Sequence, residues 1–332
     1  MSTTHPTRLD RRGKGEGTTH GHDTDRKAEV AGVCISHPDR AMFPSLGVTK
    51  EGLAHYYAEI SAWMLPYVRG RPLTLVRAPR GAEAPVAITR HAHAYGSLGG
   101  SPLRRVTIRE KTKVDDYLVA DSACALVALA QLDVLEVHTW NACAERADQP
   151  DRVVFDLDPG GGVTWGRVVE AALLVRDVLS QLELESFVKT TGGRGLHVVV
   201  PLAPRQGWDE CLALSRAVAT RLAQHDPRRF TASMVRSARA GRVYIDYLRN
   251  HRAASSIAEY STRAVRDAPV AAPVAWGELE ASTRSDPYTM ASVLERLRKR
   301  ARDPWEGYAA TKQRLRTGIW RAVDGVEIAR GR

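Results

Sequence analysis

The sequence predicts a mixed α/β (α+β) protein. Two observations carry that reading: segments of helical period alternate with short β-branched strands, and two of those strands carry carboxylates. With 332 residues, 43% of them hydrophobic and 26% charged, the chain can bury a large core as one big domain or two lobes.

Residues 1–30 are rich in Ser, Thr, Gly, His and charge and nearly free of apolar residues, which predicts a disordered tail. His5, His20 and His22 lie there with no fold to organise them around a metal. Order should begin near Val33-Cys34-Ile35. Thr49 to Val68 reads as a helix, with Thr49 as N-cap and Leu53, Tyr56, Tyr57, Ile60 and Met64 as its apolar stripe. Pro72 to Arg77 predicts a strand, Asp121 to Leu132 a buried helix apolar all round, and Leu135 to Trp140 another strand. The strand within Arg152 to Gly160 follows, then an amphipathic helix over 166–182 and a strand from Leu196 to Pro201. A helix over Trp208–Gln224 and a strand over Val243–Leu248 come next. Between Pro269 and Pro287 the prolines predict irregular chain, and a last basic helix is expected from Thr289 to Ala301.

The formal net charge is +10 and the pI about 9.7. The first 30 residues hold six Lys/Arg against five Asp/Glu, whereas residues 292–332 hold eleven against five, so the basicity belongs to the folded part and its C-terminal end. A phosphate backbone suits such a surface, and a merely solvated basic face is the alternative. The four cysteines, Cys34, Cys124, Cys143 and Cys211, have no C-x-x-C spacing and read as reduced thiols of a cytoplasmic protein. No apolar run reaches the ~18 residues of a membrane span.

Three acidic residues carry the chemistry. Strand alternation sends Asp156 and Asp158 to one face and Phe155 and Leu157 to the other, into the core. Asp246 lies in a second apolar strand, between Ile245 and Tyr247. Carboxylates beside a core need neutralising, and a hard divalent cation does so with oxygen ligands. The D-x-D pair has two other readings, a strand-ending Asp-Pro-Gly turn and the first motif of haloacid-dehalogenase phosphatases, which expect Thr or Val where Gly160 stands. For Asp246 the simpler alternative is a salt bridge to Arg242 or Arg249. Between the strands, Gly192-Gly193-Arg194-Gly195 forms a turn that can aim amide N–H groups at an anion, bracketed by Thr191 and His197. A metal cluster beside a phosphate cradle is the equipment of nucleotidyl transfer.

These segments resemble a known family. Asp156-Leu157-Asp158-Pro159-Gly160, Thr190 to His197 and Ile245-Asp246-Tyr247-Leu248-Arg249-Asn250 are similar, in order and spacing, to the polymerase domain of the bacterial end-joining ligase D, of the archaeo-eukaryotic primase superfamily. The similarity also takes in Ser36 to Arg40, Thr49-Lys50, Leu135 to Asn141, Glu259 to Arg263 and Asp303-Pro304-Trp305, so it covers about residues 33–306. It implies a primase-like fold, with a mixed central sheet, an RRM-like catalytic core and an additional α/β lobe. Residues 1–30 would be a tail, 31–306 the primase-polymerase domain and 307–332 a basic extension.

The resemblance implies that Asp156, Asp158 and Asp246 are catalytic ligands of two Mn²⁺ or Mg²⁺ ions. His138, Thr191, Gly193, His197, Arg249 and Arg263 would bind the nucleotide, and Arg40 and Lys50 a DNA 5′-phosphate. The expected activity is template-dependent addition of NTPs or dNTPs to 3′ ends at gaps or breaks. Expected partners are DNA, and possible ones a Ku-type protein and a separate DNA ligase, with a cytoplasmic, nucleoid-associated location. The chain lacks the K-x-D-G motif of a ligase and a recognisable nuclease domain, so a stand-alone polymerase subunit is expected. Where the family stacks aromatics on the template, this chain has Val86-Ala87-Ile88-Thr89-Arg90-His91. The alternatives are a metal-dependent phosphohydrolase and a non-catalytic DNA-end-binding module.

Overall fold

Two antiparallel-rich sheets face each other across a cleft in this computed structural model, which describes residues 26–96, 99–110, 113–281, 288–300 and 302–328. The larger sheet has six strands in the order Phe230–Thr231, Val243–Asp246, Arg152–Pro159, Leu196–Pro201, Phe187–Thr190 and Pro273–Val274. All its pairings are antiparallel except that between the first two strands. The smaller sheet runs Ser255–Ile257, Val134–Trp140, Leu73–Arg77, Ala87–Thr89, antiparallel throughout.

Strand parity decides which residues meet which core. Val153, Phe155 and Leu157 are fully buried in one cluster, with the helices Trp165–Gln181 and Trp208–His225. Val154, on the opposite parity, joins the other cluster, built on the helices Lys50–Val68 and Ala123–Gln131 and the smaller sheet. Asp156 and Asp158 share the parity of Val154, so they emerge where that face opens into the cleft.

The predicted helices and strands form, with ends moved by one to three residues. Thr49 caps the first long helix, its Oγ1 accepting from Gly52 N at 3.1 Å, and the five stripe residues are all buried. Four expectations need correction. Residues 27–30 of the expected tail form a strand paired with Val33–Ser36, while residues 1–25 lie outside the described residues. The Val243 strand stops at Asp246 and gives way to a 3-10 turn at Leu248–Asn250. The 269–287 region is structured where described, with strands at Pro269–Val270 and Pro273–Val274 and a helix at Trp276–Glu280. The last basic helix spans Met290–Arg298, and the expected end at Ala301 lies outside the described residues.

The 307–332 segment is more than a basic tail. Leu315, Ile319, Val323 and Val326 are buried in the second core, and Gln313 Nε2 donates to Pro201 O at 3.0 Å. The sequence reading also missed the hairpin of Arg104–Arg109 and Val114–Val119, whose polar residues hide its period. Among the described residues no helix is long and apolar enough to cross a membrane.

Candidate active site

Register brings the acidic residues together. Asp156 lies directly opposite Asp246 on one side and His197 on the other, and His197 lies opposite Lys189. One row of ionisable groups therefore crosses four strands: Asp246, Asp156, His197, Lys189. Like charges opposite each other in a sheet repel, so the two carboxylates need a cation. Arg249 supplies one from the turn that follows Asp246: its Nε lies 3.1 Å from Asp156 Oδ2 and 3.2 Å from Asp246 Oδ2. The simpler expectation for Asp246 thus holds in part, with Arg249 rather than Arg242 as its partner. Asp246 Oδ1 also accepts from Leu248 N at 2.8 Å, because the strand ends there and the turn offers a free amide.

Asp158 sits two residues along on the same face, opposite Tyr244. The strand then turns at Gly160, where a Cβ would stand 1.7 Å from the Arg239 carbonyl oxygen, so no other residue fits that backbone. The glycine turn is held by Thr191, whose Oγ1 donates to Gly195 O at 3.1 Å and accepts from Gly193 N at 3.3 Å. Gly192 has φ +71°, and a Cβ there would press on the Arg263 side chain at 2.8 Å.

The opposing sheet contributes His138. Its Nε2 lies 2.8 Å from Glu136 Oε2, while Glu136 Oε1 accepts from Arg263 Nε at 3.1 Å and from Ala264 N at 2.8 Å. Arg263 also donates to Thr191 O at 3.1 Å, tying the glycine turn to the smaller sheet. His138, Asp156, Asp158, Thr191, Gly193, His197, Arg249 and Arg263 all line one cleft of about 440 Å³. Asp246 lines an adjoining pocket, and Arg249 and Ser255 belong to both.

Electrostatics divides the carboxylates. Burial raises the Asp156 carboxyl, but His197 and Arg249 outweigh it and hold its pKa down at about 2. Burial and the Asp156 charge push Asp158 the other way, up to about 6, against the pull of Arg249. Burial lowers both His197 and His138, opposed by their carboxylate partners Asp156 and Glu136. Behind His197 lies a buried ion group. Lys189 Nζ is 3.1 Å from Glu259 Oε1, and Arg152 Nη1 is 3.6 Å from Glu259 Oε2. Burial brings Lys189 down to about 8 and opposes ionisation of Glu259, whose two cations nonetheless hold it at about 2.

The donor set fits a hard divalent cation. Asp156 Oδ1 is buried with no hydrogen bond, although His197 Nε2 is 3.3 Å away, so an oxygen that costs energy to desolvate is left available as a ligand.

Arg40 and Lys50 lie apart from this cleft and close to one another. One carboxylate holds both: Asp133 Oδ1 is 3.0 Å from Arg40 Nη1 and 3.0 Å from Lys50 Nζ. Lys50 is only 2% exposed, and burial lowers its pKa against the pull of Asp133. Val86 and Ile88 flank and occupy the edge strand Ala87–Thr89, with Ile88 68% exposed. The sequence reading missed Asp133, Glu136, Ser255 and Ser256. Glu136 alternates with His138 on one strand, a spacing that could have flagged it; the serines carry no such signal.

The model of the LigD primase-polymerase domain family matches residues 49–305. A multifunctional non-homologous end joining protein LigD of Pseudomonas aeruginosa is 38% identical over 302 residues, 90% of this chain and 35% of that protein. A bifunctional counterpart from Bacillus subtilis is 26% identical over 79% of the chain and 42% of its own length. The chain thus spans between a third and a half of each of these relatives. Among solved structures, the polymerase domain of Mycobacterium tuberculosis ligase D in complex with DNA superposes with a TM-score of 0.77 at 32% identity, covering 85% of this chain and 99% of that one.

Proposed function

This chain belongs to the LigD primase-polymerase domain family, and from that membership and its cleft we propose that it is a template-dependent nucleotidyltransferase that fills gaps or extends 3′ ends at DNA breaks. The observation that carries the reading is the row of Asp246, Asp156 and His197 across three strands, with Asp158 beside it and a cationic wall opposite. DNA is the proposed partner, since the similar solved polymerase domain is a complex with DNA, together with NTP or dNTP substrates. A Ku-type protein and a ligase would act in the same repair.

Asp156, Asp158 and Asp246 would hold two Mn²⁺ or Mg²⁺ ions, whose chemistry there is to neutralise phosphate charge and lower the pKa of a 3′-hydroxyl. Arg249, which straddles Asp156 and Asp246, would be free to reach a phosphate if bound cations neutralised those carboxylates. Thr191 and the Gly193 amide, now bonded to each other within the turn, would redirect to form an anion cradle, and Arg263 brings its charge to the cradle's edge. His197 lies against Asp156 and, with its pKa lowered, offers a neutral imidazole to the triphosphate. Glu136 orients His138 and Arg263 together, so the nucleotide wall is set by one carboxylate. Charge neutralisation and positioning supply most of the rate in such transfers. Arg40 and Lys50, paired on Asp133, would take the 5′-phosphate across a gap.

Primer extension on a gapped duplex, with ribo- and deoxyribonucleotides and with Mn²⁺ then Mg²⁺, tests this reading. Asp156→Asn should abolish extension and leave DNA binding intact; normal extension by that variant would refute the metal assignment. Family membership removes the support for a phosphohydrolase, and extension by the native chain would exclude a non-catalytic end-binding module.

A further inference from the structure

Outside the cleft, one cluster among the described residues combines the donors of a transition-metal site. The ligand atoms of His91, Glu110 and Asp115 all lie within 4.8 Å of one another. They come from two separate pieces of chain. His91 leads into the 3-10 turn Ala92–Tyr95, while Glu110 and Asp115 flank the tip of the hairpin of Arg104–Arg109 and Val114–Val119. Glu110 N donates to Lys113 O at 2.7 Å, which closes that tip.

The spacing is that of ligands sharing an ion. His91 Nδ1 is buried without a hydrogen bond and lies 3.4 Å from Asp115 Oδ2. Ligand atoms around a tetrahedral ion with bonds of ~2.0–2.1 Å stand roughly 3.3–3.4 Å apart. His93 stacks on His91 with ring centroids 5.6 Å apart, and its Nδ1 is 3.7 Å from Asp115 Oδ1. The Tyr117 hydroxyl donates to Glu110 Oε1 and orients that carboxylate from behind. One cation already sits here: Lys113 Nζ contacts Asp115 Oδ2 and lies 3.4 Å from His91 Nε2. Its side chain is half exposed, so it can withdraw into water at little cost.

We propose that His91, Glu110 and Asp115 bind one divalent transition-metal ion, Zn²⁺ by their imidazole and carboxylate donors, which clasps the hairpin to the His91 segment. The clasp stands beside the catalytic cleft without entering it. Arg90, next to His91, lines the pocket that holds Asp246 and Arg249, and Glu110 lines a groove with Arg252. The ion would therefore stiffen one wall of each of those two pockets.

The test is a Zn²⁺ titration in competition with a chromophoric chelator, on the full chain carrying H5A, H20A and H22A, to remove the tail imidazoles, and D156N and D158N, to disable the cleft. One equivalent should bind. Adding His91→Ala or Asp115→Asn should weaken binding at least about tenfold, and adding Lys113→Ala should tighten it, because a competing cation is gone. Amide exchange across residues 104–109 and 114–119 should slow with Zn²⁺ in the parent and not in the His91→Ala protein. No stoichiometric binding by the parent at micromolar Zn²⁺, binding unchanged by both ligand substitutions, or weaker binding by Lys113→Ala would each overturn the proposal.

Discussion

Replacing Asp158 with Asn should stabilise this protein while destroying its proposed activity. Burial and Asp156 raise the Asp158 carboxyl from 3.8 to about 6. The folded chain therefore holds this proton at pH values where the unfolded chain has lost it. Stability falls as pH rises from about 4 through 6, and the loss persists above 6. A shift of about two units corresponds to ~3 kcal/mol. Because the cleft is open to water, the cost is reduced to roughly 1–2 kcal/mol. Asp158→Asn removes that charge. Urea unfolding followed by tryptophan fluorescence, in chelator at pH 7.5, should find the variant more stable by about that amount. At pH 4 the gap should shrink below ~0.5 kcal/mol, since the native carboxyl is then protonated in the folded state. Mn²⁺ should raise the native protein's stability much more than the variant's. A variant no more stable at pH 7.5, or a gap of equal size at pH 4, would refute the reasoning.

Glu259→Gln leaves Lys189 and Arg152 inside the protein without their carboxylate and should cost ~3–5 kcal/mol while both stay charged, with part regained as pH rises and Lys189, which needs Glu259 to keep its pKa as high as about 8, sheds its proton below that pH. An unfolding free energy within about 1 kcal/mol of the native value would contradict that. Gly160→Ala drives a methyl into the Arg239 carbonyl and should cost at least about 1–3 kcal/mol and displace Asp158, read as a lowered Tm with lost extension. Arg40→Ala with Lys50→Ala should erase any preference for a 5′-phosphorylated gap and flatten the salt dependence of binding. Equal affinity of the native chain for phosphorylated and unphosphorylated gaps would remove that assignment.

What the sequence determined by itself is local. Period-two alternation around Phe155 and Leu157 placed Asp156 and Asp158 on the face opposite those two core residues, and the Thr49 cap and its apolar stripe defined a helix. The ordered motifs from Asp156 to Asn250 pointed to the family whose model the chain matches. Tertiary structure decided everything that depends on register between distant strands. Asp246 faces Asp156 because two strands some ninety residues apart pair in that one register, and a one-residue slip would bury Asp246 among the core side chains. The same holds for Glu259 beneath Lys189, for Asp133 between Arg40 and Lys50, and for a C-terminal segment that reads as a charged tail yet seats Leu315 and Ile319 in the core. Charge partners carry no periodicity, so composition and spacing left them unmarked until the chain was folded.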